Sequence, residues 1–167
     1  VASSLKQAEA SLFRLETIID ATDDEPNPVD PKPASAITGQ VKFTDVGFAY
    51  GDTPVLRGID LEIPRGQMVA LVGPSGAGKS TFVNLIPRFY EVSSGSLTLN
   101  GIDVREFSKR ELRERIAMVS QVPLLFTGTV GENIRIGRPQ ATDEEIREAA
   151  RRANALDFIE RLPNGFE

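Results

Sequence analysis

Residues 71–82 read LVGPSGAGKSTF, and the spacing Gly73-x-x-x-x-Gly78-Lys79-Ser80 is that of a loop built to hold phosphate. Glycine permits backbone angles that a Cβ forbids and lets peptide amides close on phosphate oxygens. Those amides, with the N-terminus of a following helix, present partial positive charge to an anion. Lys79 has the reach for β- and γ-phosphates, and the Ser80 hydroxyl is a ligand for Mg²⁺. A chance glycine turn is the plainer alternative. Context disfavours it, because the apolar run 68–72 precedes the loop and Phe82, Leu85, Ile86 and Phe89 follow at helical spacing. The loop therefore joins a strand to a helix, as phosphate binding requires. The expectation is a nucleotide site made by Gly73, Pro74, Ser75, Gly76, Ala77, Gly78, Lys79, Ser80 and Thr81.

Composition narrows what else the chain does. Its 167 residues are enough for one domain with a real core. A net charge of −5 argues against a nucleic-acid binder that works through a broad basic face. Cysteine is absent, which excludes disulfides and thiolate metal sites, and histidine is absent too. Without histidine there is no Ser/His or Cys/His nucleophile arrangement. No run approaches the roughly 18 apolar residues of a membrane span, and no signal-peptide pattern opens the sequence.

The elements that must position the loop are legible in the pattern. Leu5, Ala8, Leu12, Leu15 and Ile19 make one apolar seam on a helix over 1–20. Its partner is either its own domain or a segment outside these residues, and the pattern fits both. Pro26, Pro28, Pro31 and Pro33, among acidic residues, make 21–39 a stiff, extended, acidic linker. From Gln40, Val41 and Phe43, then Val46, Phe48 and Tyr50, alternate with a slip of phase that predicts a bulge. Ile59, Leu61 and Ile63 make a second strand ending at the turn 64–66. The run 68–72 reads as a strand buried on both faces. Pro87 should end or kink the helix after the loop, near its last turn. Leu97, Leu99, the turn Asn100-Gly101, Ile102 and Val104 make a hairpin. Ser108 with Glu111 and Thr142 with Glu145 cap two further helices, and 116–119 reads as another short buried strand with Gln121 just beyond it.

Together, FAYGDTPVLRGIDLEIPRGQMVALVGPSGAGKST, NLIPRFYEVSSGSLTLNGIDV, LRERIAMVSQ and LLFTGTVGENI closely resemble the nucleotide-binding domain of ABC exporters. Within that family they look most like the lipid A exporter and multidrug group. The resemblance covers nearly the whole chain. It implies an α/β fold in which an antiparallel β-subdomain stands beside a partial P-loop core, with residues 40–167 as the N-terminal part of the domain. It makes 1–20 the end of a last transmembrane or stalk helix. Tyr50 matches the aromatic that stacks on adenine, and Gln121 the glutamine that ligates Mg²⁺ and senses the transmembrane domain. Phe126 fits either a surface that receives the membrane domain or a core position.

The resemblance also implies ATP and Mg²⁺ as cofactors and a second nucleotide-binding domain as partner, most simply in a homodimer. It implies a transmembrane domain on the same polypeptide, no nucleic acid, and a place on the cytoplasmic face of the plasma (inner) membrane. The parent would be an ATPase coupled to export, of lipid or other hydrophobic compounds. Three of the family's parts have no counterpart here: an LSGGQ-type segment, an apolar strand ending in Asp-Glu, and a switch histidine. In the family they follow the point where this sequence stops. The expectation is a piece that binds ATP without catalytic residues of its own. A soluble ABC-type ATPase and a non-hydrolysing nucleotide-binding module remain the alternatives.

Overall fold

The structure, a computed structural model, describes residues 27–167, and the helix expected over 1–20 lies outside them, as does the linker up to residue 26. Two compact units divide the chain, one reaching to Ala117 and the other running Met118–Glu167.

The first unit is organised by strands β1 (Val41–Tyr50), β2 (Thr53–Ile63), β3 (Ser94–Leu99) and β4 (Ile102–Asp103). They form one antiparallel sheet in the order β2-β1-β3-β4. β1 and β2 are a hairpin in which Tyr50 pairs Thr53, Phe43 pairs Leu61 and Val41 pairs Ile63. The expected slip of phase is present. The register shifts between Phe43 and Val46, Asp45 takes a φ of 47°, and its amide donates to Asp60 Oδ1 at 2.9 Å. One extra residue therefore keeps Phe43, Val46 and Phe48 on the same buried face. β3 crosses β1 beside this bulge, and there Gly95 has a φ of 74°. A Cβ on Gly95 would run into the carbonyl oxygens of Thr44 and Asp45.

Helix α1 (Lys79–Leu85) lies on the sheet's buried face. It stops short of Pro87, which cannot supply the next amide. Phe82 stacks on Phe43 with ring centroids 4.2 Å apart, and Leu85 is fully buried. Leu97, Leu99, Val104, Phe107 and Leu112 complete this core. Asn100-Gly101 turns the β3–β4 hairpin, both residues with positive φ as a tight two-residue turn demands. Helix α2 (Lys109–Glu114) is capped by Ser108, whose side chain accepts from the Glu111 amide at 3.3 Å. The segment 27–39 bends at 29–30 and at Gly39 and makes a short turn at Ala34–Ala36. It is fastened by Lys32 N–H to Glu106 O at 2.8 Å and by Asn100 Oδ1, which accepts from the Thr38 amide at 2.7 Å.

In the second unit α3 (Val130–Arg135) and α4 (Asp143–Arg152) each begin with a complete capping box, Thr129 with Glu132 and Thr142 with Glu145. The first of these was not read from the sequence. A short α5 (Leu156–Glu160) follows, and Ala141, Ile146, Ala150 and Ile159 are buried. Arg147 joins Glu160 at 3.1 Å and lies over the Phe166 ring.

The runs 68–72 and 116–119 correct the sequence reading, for neither is a strand. Met68, Val72 and Val119 stand almost fully in solvent. A strand exists through its neighbours' ladder, and a parallel one buried on both faces needs a partner at each edge. No strand among the described residues pairs with either run. The architecture is mixed α/β with an antiparallel sheet, as expected, and the parallel part is not formed by these residues.

Gly101→Ala adds a Cβ in open space and should cost only the left-handed conformation, about 1 kcal/mol. Gly95→Ala adds the collision with the bulge and should cost at least about 1 kcal/mol more. Urea unfolding of both variants measures the difference, and equal midpoints would contradict the packing assigned to the bulge.

Candidate functional site

The glycine loop leaves the exposed segment 68–72 and enters α1 at Gly78. Gly78 is the N-terminal cap residue, with a φ of 83°, and the Phe82 amide donates to its carbonyl at 2.8 Å. Glycine is required here twice over. The angle is left-handed, and an added Cβ would stand 2.9 Å from Leu56 Cδ2 and 3.1 Å from Val55 Cγ1 of β2. The helix start is thereby pressed against the first hairpin.

Residues 73–77 are exposed. The Lys79 side chain turns back along the loop and donates to Gly73 O at 2.9 Å and Pro74 O at 2.7 Å. An ammonium group held by two neutral carbonyls spans the loop, with its charge uncompensated by any carboxylate among these bonds. Ser80 is exposed in the first turn and Thr81 is buried. Beside the loop, Leu56, Ile59, Leu61, Val72 and Phe82 help line a cavity of about 430 Å³.

Tyr50 closes β1, just before the Gly51-Asp52 turn, and is 44% exposed. Its hydroxyl lies 3.3 Å from Thr81 Oγ1. The structure thus brings the predicted aromatic and the end of the predicted phosphate loop together. Two rings brace Tyr50. Phe48 is perpendicular to it at 4.8 Å and Tyr90 is perpendicular to it at 5.1 Å. Hydrogen bonding with Tyr50 raises the Tyr90 phenol above its ordinary pKa, with Tyr50's nearby charge and slight desolvation adding to it. Gln121 belongs to the second unit, exposed at a bend outside any helix or strand, next to Ser120, whose hydroxyl donates to Val122 O at 2.6 Å. Phe126 is exposed, and Asn133 holds its backbone at both amide and carbonyl.

Sequence reasoning missed Tyr90 and the device that holds it. Arg88, 4% exposed, takes a φ of 54° just after α1. Its guanidinium donates to Glu91 Oε1 from Nε at 2.9 Å and from Nη2 at 2.5 Å, and to Phe107 O from Nη1 at 3.0 Å. Arg113 of α2 donates to Pro87 O at 3.0 Å and Arg88 O at 2.7 Å. The available signal was Arg-Phe-Tyr-Glu directly after a helix-stopping proline. Opposite charges three apart around an aromatic suit a closed turn.

The family model described as ABC transporter matches residues 56–166. An ATP-dependent lipid A-core flippase of Desulfotalea psychrophila is 42% identical over 167 residues, which is 100% of this chain and 29% of that protein. A fatty acid ABC transporter ATP-binding/permease protein of Mycobacterium bovis is 44% identical over 166 residues, 99% of this chain and 26% of that protein. Among solved structures, a bacterial Atm1-family ABC exporter with ATP bound superimposes with a TM-score of 0.85 at 34% identity, covering 96% of this chain and 28% of that one. The chain spans under a third of the length of these relatives.

Removing one partner of a buried ion pair strands the other, so Arg88→Leu should destabilise the protein by about 3 kcal/mol, the low end because Glu91 keeps a third of its side chain in solvent. Adding Glu91→Leu should recover part of that loss in denaturant unfolding. A double variant as unstable as the sum of the singles would show that the pair does not close this turn.

Proposed function

The chain belongs to the ABC transporter family, and from that premise we propose that it binds MgATP as part of a membrane exporter. The observation that carries the reading is Lys79, whose ammonium is parked on Gly73 O and Pro74 O across a loop of exposed residues. An incoming phosphate offers that ammonium a charged acceptor in place of two neutral ones, and such bonds are roughly twice as strong. The loop amides take the remaining phosphate oxygens. Tyr50, braced at the mouth of the same loop with much of its ring exposed, offers adenine a stacking face.

The oxygens present suit magnesium. The Ser80 hydroxyl is hard and exposed. Among the described residues no three carboxylate, histidine or cysteine groups gather into a metal cage. A cation held chiefly through a nucleotide's phosphates needs none. A magnesium ion there would supply positive charge against the negative charge that develops in phosphoryl transfer. Ser80 is the residue of this loop that would hold it, and Gln121 is tied to the same ion by the resemblance to ABC exporters alone.

The rest of the reading concerns the whole exporter. Relatives named as a lipid A-core flippase and a fatty acid transporter support a lipid or another hydrophobic compound as cargo. The ATP-binding/permease name supports a transmembrane domain on the same polypeptide. The ATP-binding part is proposed on the cytoplasmic face of the plasma (inner) membrane, the side that holds ATP. A second copy of the nucleotide-binding domain completes the ATPase, and ATP hydrolysis belongs to that assembly. No residue of this chain is assigned the task of polarising water.

Calorimetric titration of MgATP into the full polypeptide that carries this sequence tests the site. Lys79→Ala should weaken binding roughly 10- to 100-fold, the loss of a charge-assisted hydrogen bond. Tyr50→Ala should cost roughly 1–3 kcal/mol of binding, while Tyr50→Phe keeps most of the affinity. Wild-type affinity in Lys79→Ala would overturn the phosphate site. Equal losses in Ala and Phe at position 50 would assign the effect to the hydroxyl on Thr81 and not to the ring.

A further inference from the structure

We propose that Tyr90 is a positioning residue for nucleotide binding, which sets the Tyr50 ring at the angle that receives the base. The inference rests on the reading of Tyr50 as the adenine platform and extends it to a residue in another part of the chain. Tyr90 lies 40 residues beyond Tyr50, in the turn after α1. Yet its ring meets both Tyr50 at 5.1 Å and Phe48 at 5.5 Å. Perpendicular aromatic contact places the positive edge of one ring on the negative face of another and resists rotation of either. Tyr50 therefore does not swing freely at its hairpin end. Phe48, Tyr90 and the Thr81 hydroxyl hold it at three places.

The turn that presents Tyr90 is itself fixed. The two ends of the turn, Arg88 and Glu91, are tied by a guanidinium that is almost wholly buried. Two residues later, Ser93 is sewn to β1, its amide donating to Gly47 O at 2.9 Å and its hydroxyl accepting from the Ala49 amide at 3.1 Å. Ala49 and Gly47 flank Phe48 and precede Tyr50. The same few bonds thus fix both rings of the pair. The two aligned rings stand beside the phosphate loop, Tyr50 44% and Tyr90 38% exposed.

The test compares a ligand with a base and one without, in the full polypeptide. MgATP and magnesium tripolyphosphate are titrated by calorimetry into wild type, Tyr90→Ala, Tyr90→Leu and Tyr90→Phe, with folding checked by circular dichroism. Tyr90→Ala should raise the Kd for ATP about three- to tenfold, the scale of one aromatic pair, and leave tripolyphosphate binding unchanged. Tyr90→Leu keeps apolar bulk without a ring and should show the same base-selective loss if the alanine variant fails to fold. Tyr90→Phe should restore ATP binding to within about twofold. In a Tyr50→Ala background, Tyr90→Ala should add nothing. Equal losses for both ligands, or full additivity with Tyr50→Ala, would overturn the proposal and leave Tyr90 a stability residue. If Tyr50→Ala weakens ATP and Tyr90→Ala does not, the positioning role alone falls. If Tyr50→Ala is itself silent, the adenine platform falls and this inference with it.

Discussion

Phe82 stacked on Phe43 holds a seven-residue helix in place, and the proposed phosphate loop leads into that helix. So short a helix has no stability of its own in water, because its nucleation cost exceeds what a few hydrogen bonds return. It persists because Phe82 and Leu85 are buried on the sheet, and because Gly78 lets the first turn press on Val55 and Leu56. The phosphate contact proposed for Lys79 thus depends on aromatic packing three residues further on. The bulge at Asp45 matters for the same reason, since without it Val46 and Phe48 would face the wrong side of β1.

A second dependence runs from the end of α1 to the hairpin. The chain leaves the helix through Arg88, in a left-handed conformation that a buried guanidinium and its partners stabilise. That turn returns it toward β1, where Ser93 is bonded to Gly47 and Ala49. Tyr50 and Tyr90 meet as a result. The α1 start and the α1 end are therefore both referred to one hairpin, and a ligand touching Tyr50 and Lys79 contacts two sides of one packed unit.

Much of this was legible in the residues. Alternation with a slip gave β1 and its bulge, Asn100-Gly101 gave the second hairpin, and Pro87 gave the end of α1. Thr129-x-x-Glu132 carries the same capping signal as Thr142-x-x-Glu145 and was equally readable. The runs 68–72 and 116–119 were misread because apolar sequence states a preference for burial, whereas a strand is made by the neighbours that supply its ladder. Tyr90 was not legible for the complementary reason. Its contact with Tyr50 exists only once a buried arginine has closed the turn that carries it, and no local period encodes that meeting. Gln121 keeps only its resemblance to a family residue, for its own unit leaves it exposed at a bend.

The central claim is that Lys79 exchanges two backbone carbonyls for phosphate while the helix beneath it stays on the sheet. A crystal structure of the full polypeptide with a non-hydrolysable MgATP analogue measures this directly. The account predicts Lys79 Nζ on β- and γ-phosphate oxygens, Tyr50 against the adenine, and Phe82 still stacked on Phe43. A nucleotide bound away from residues 73–81, or Lys79 still seated on Gly73 O and Pro74 O beside bound phosphates, would contradict it.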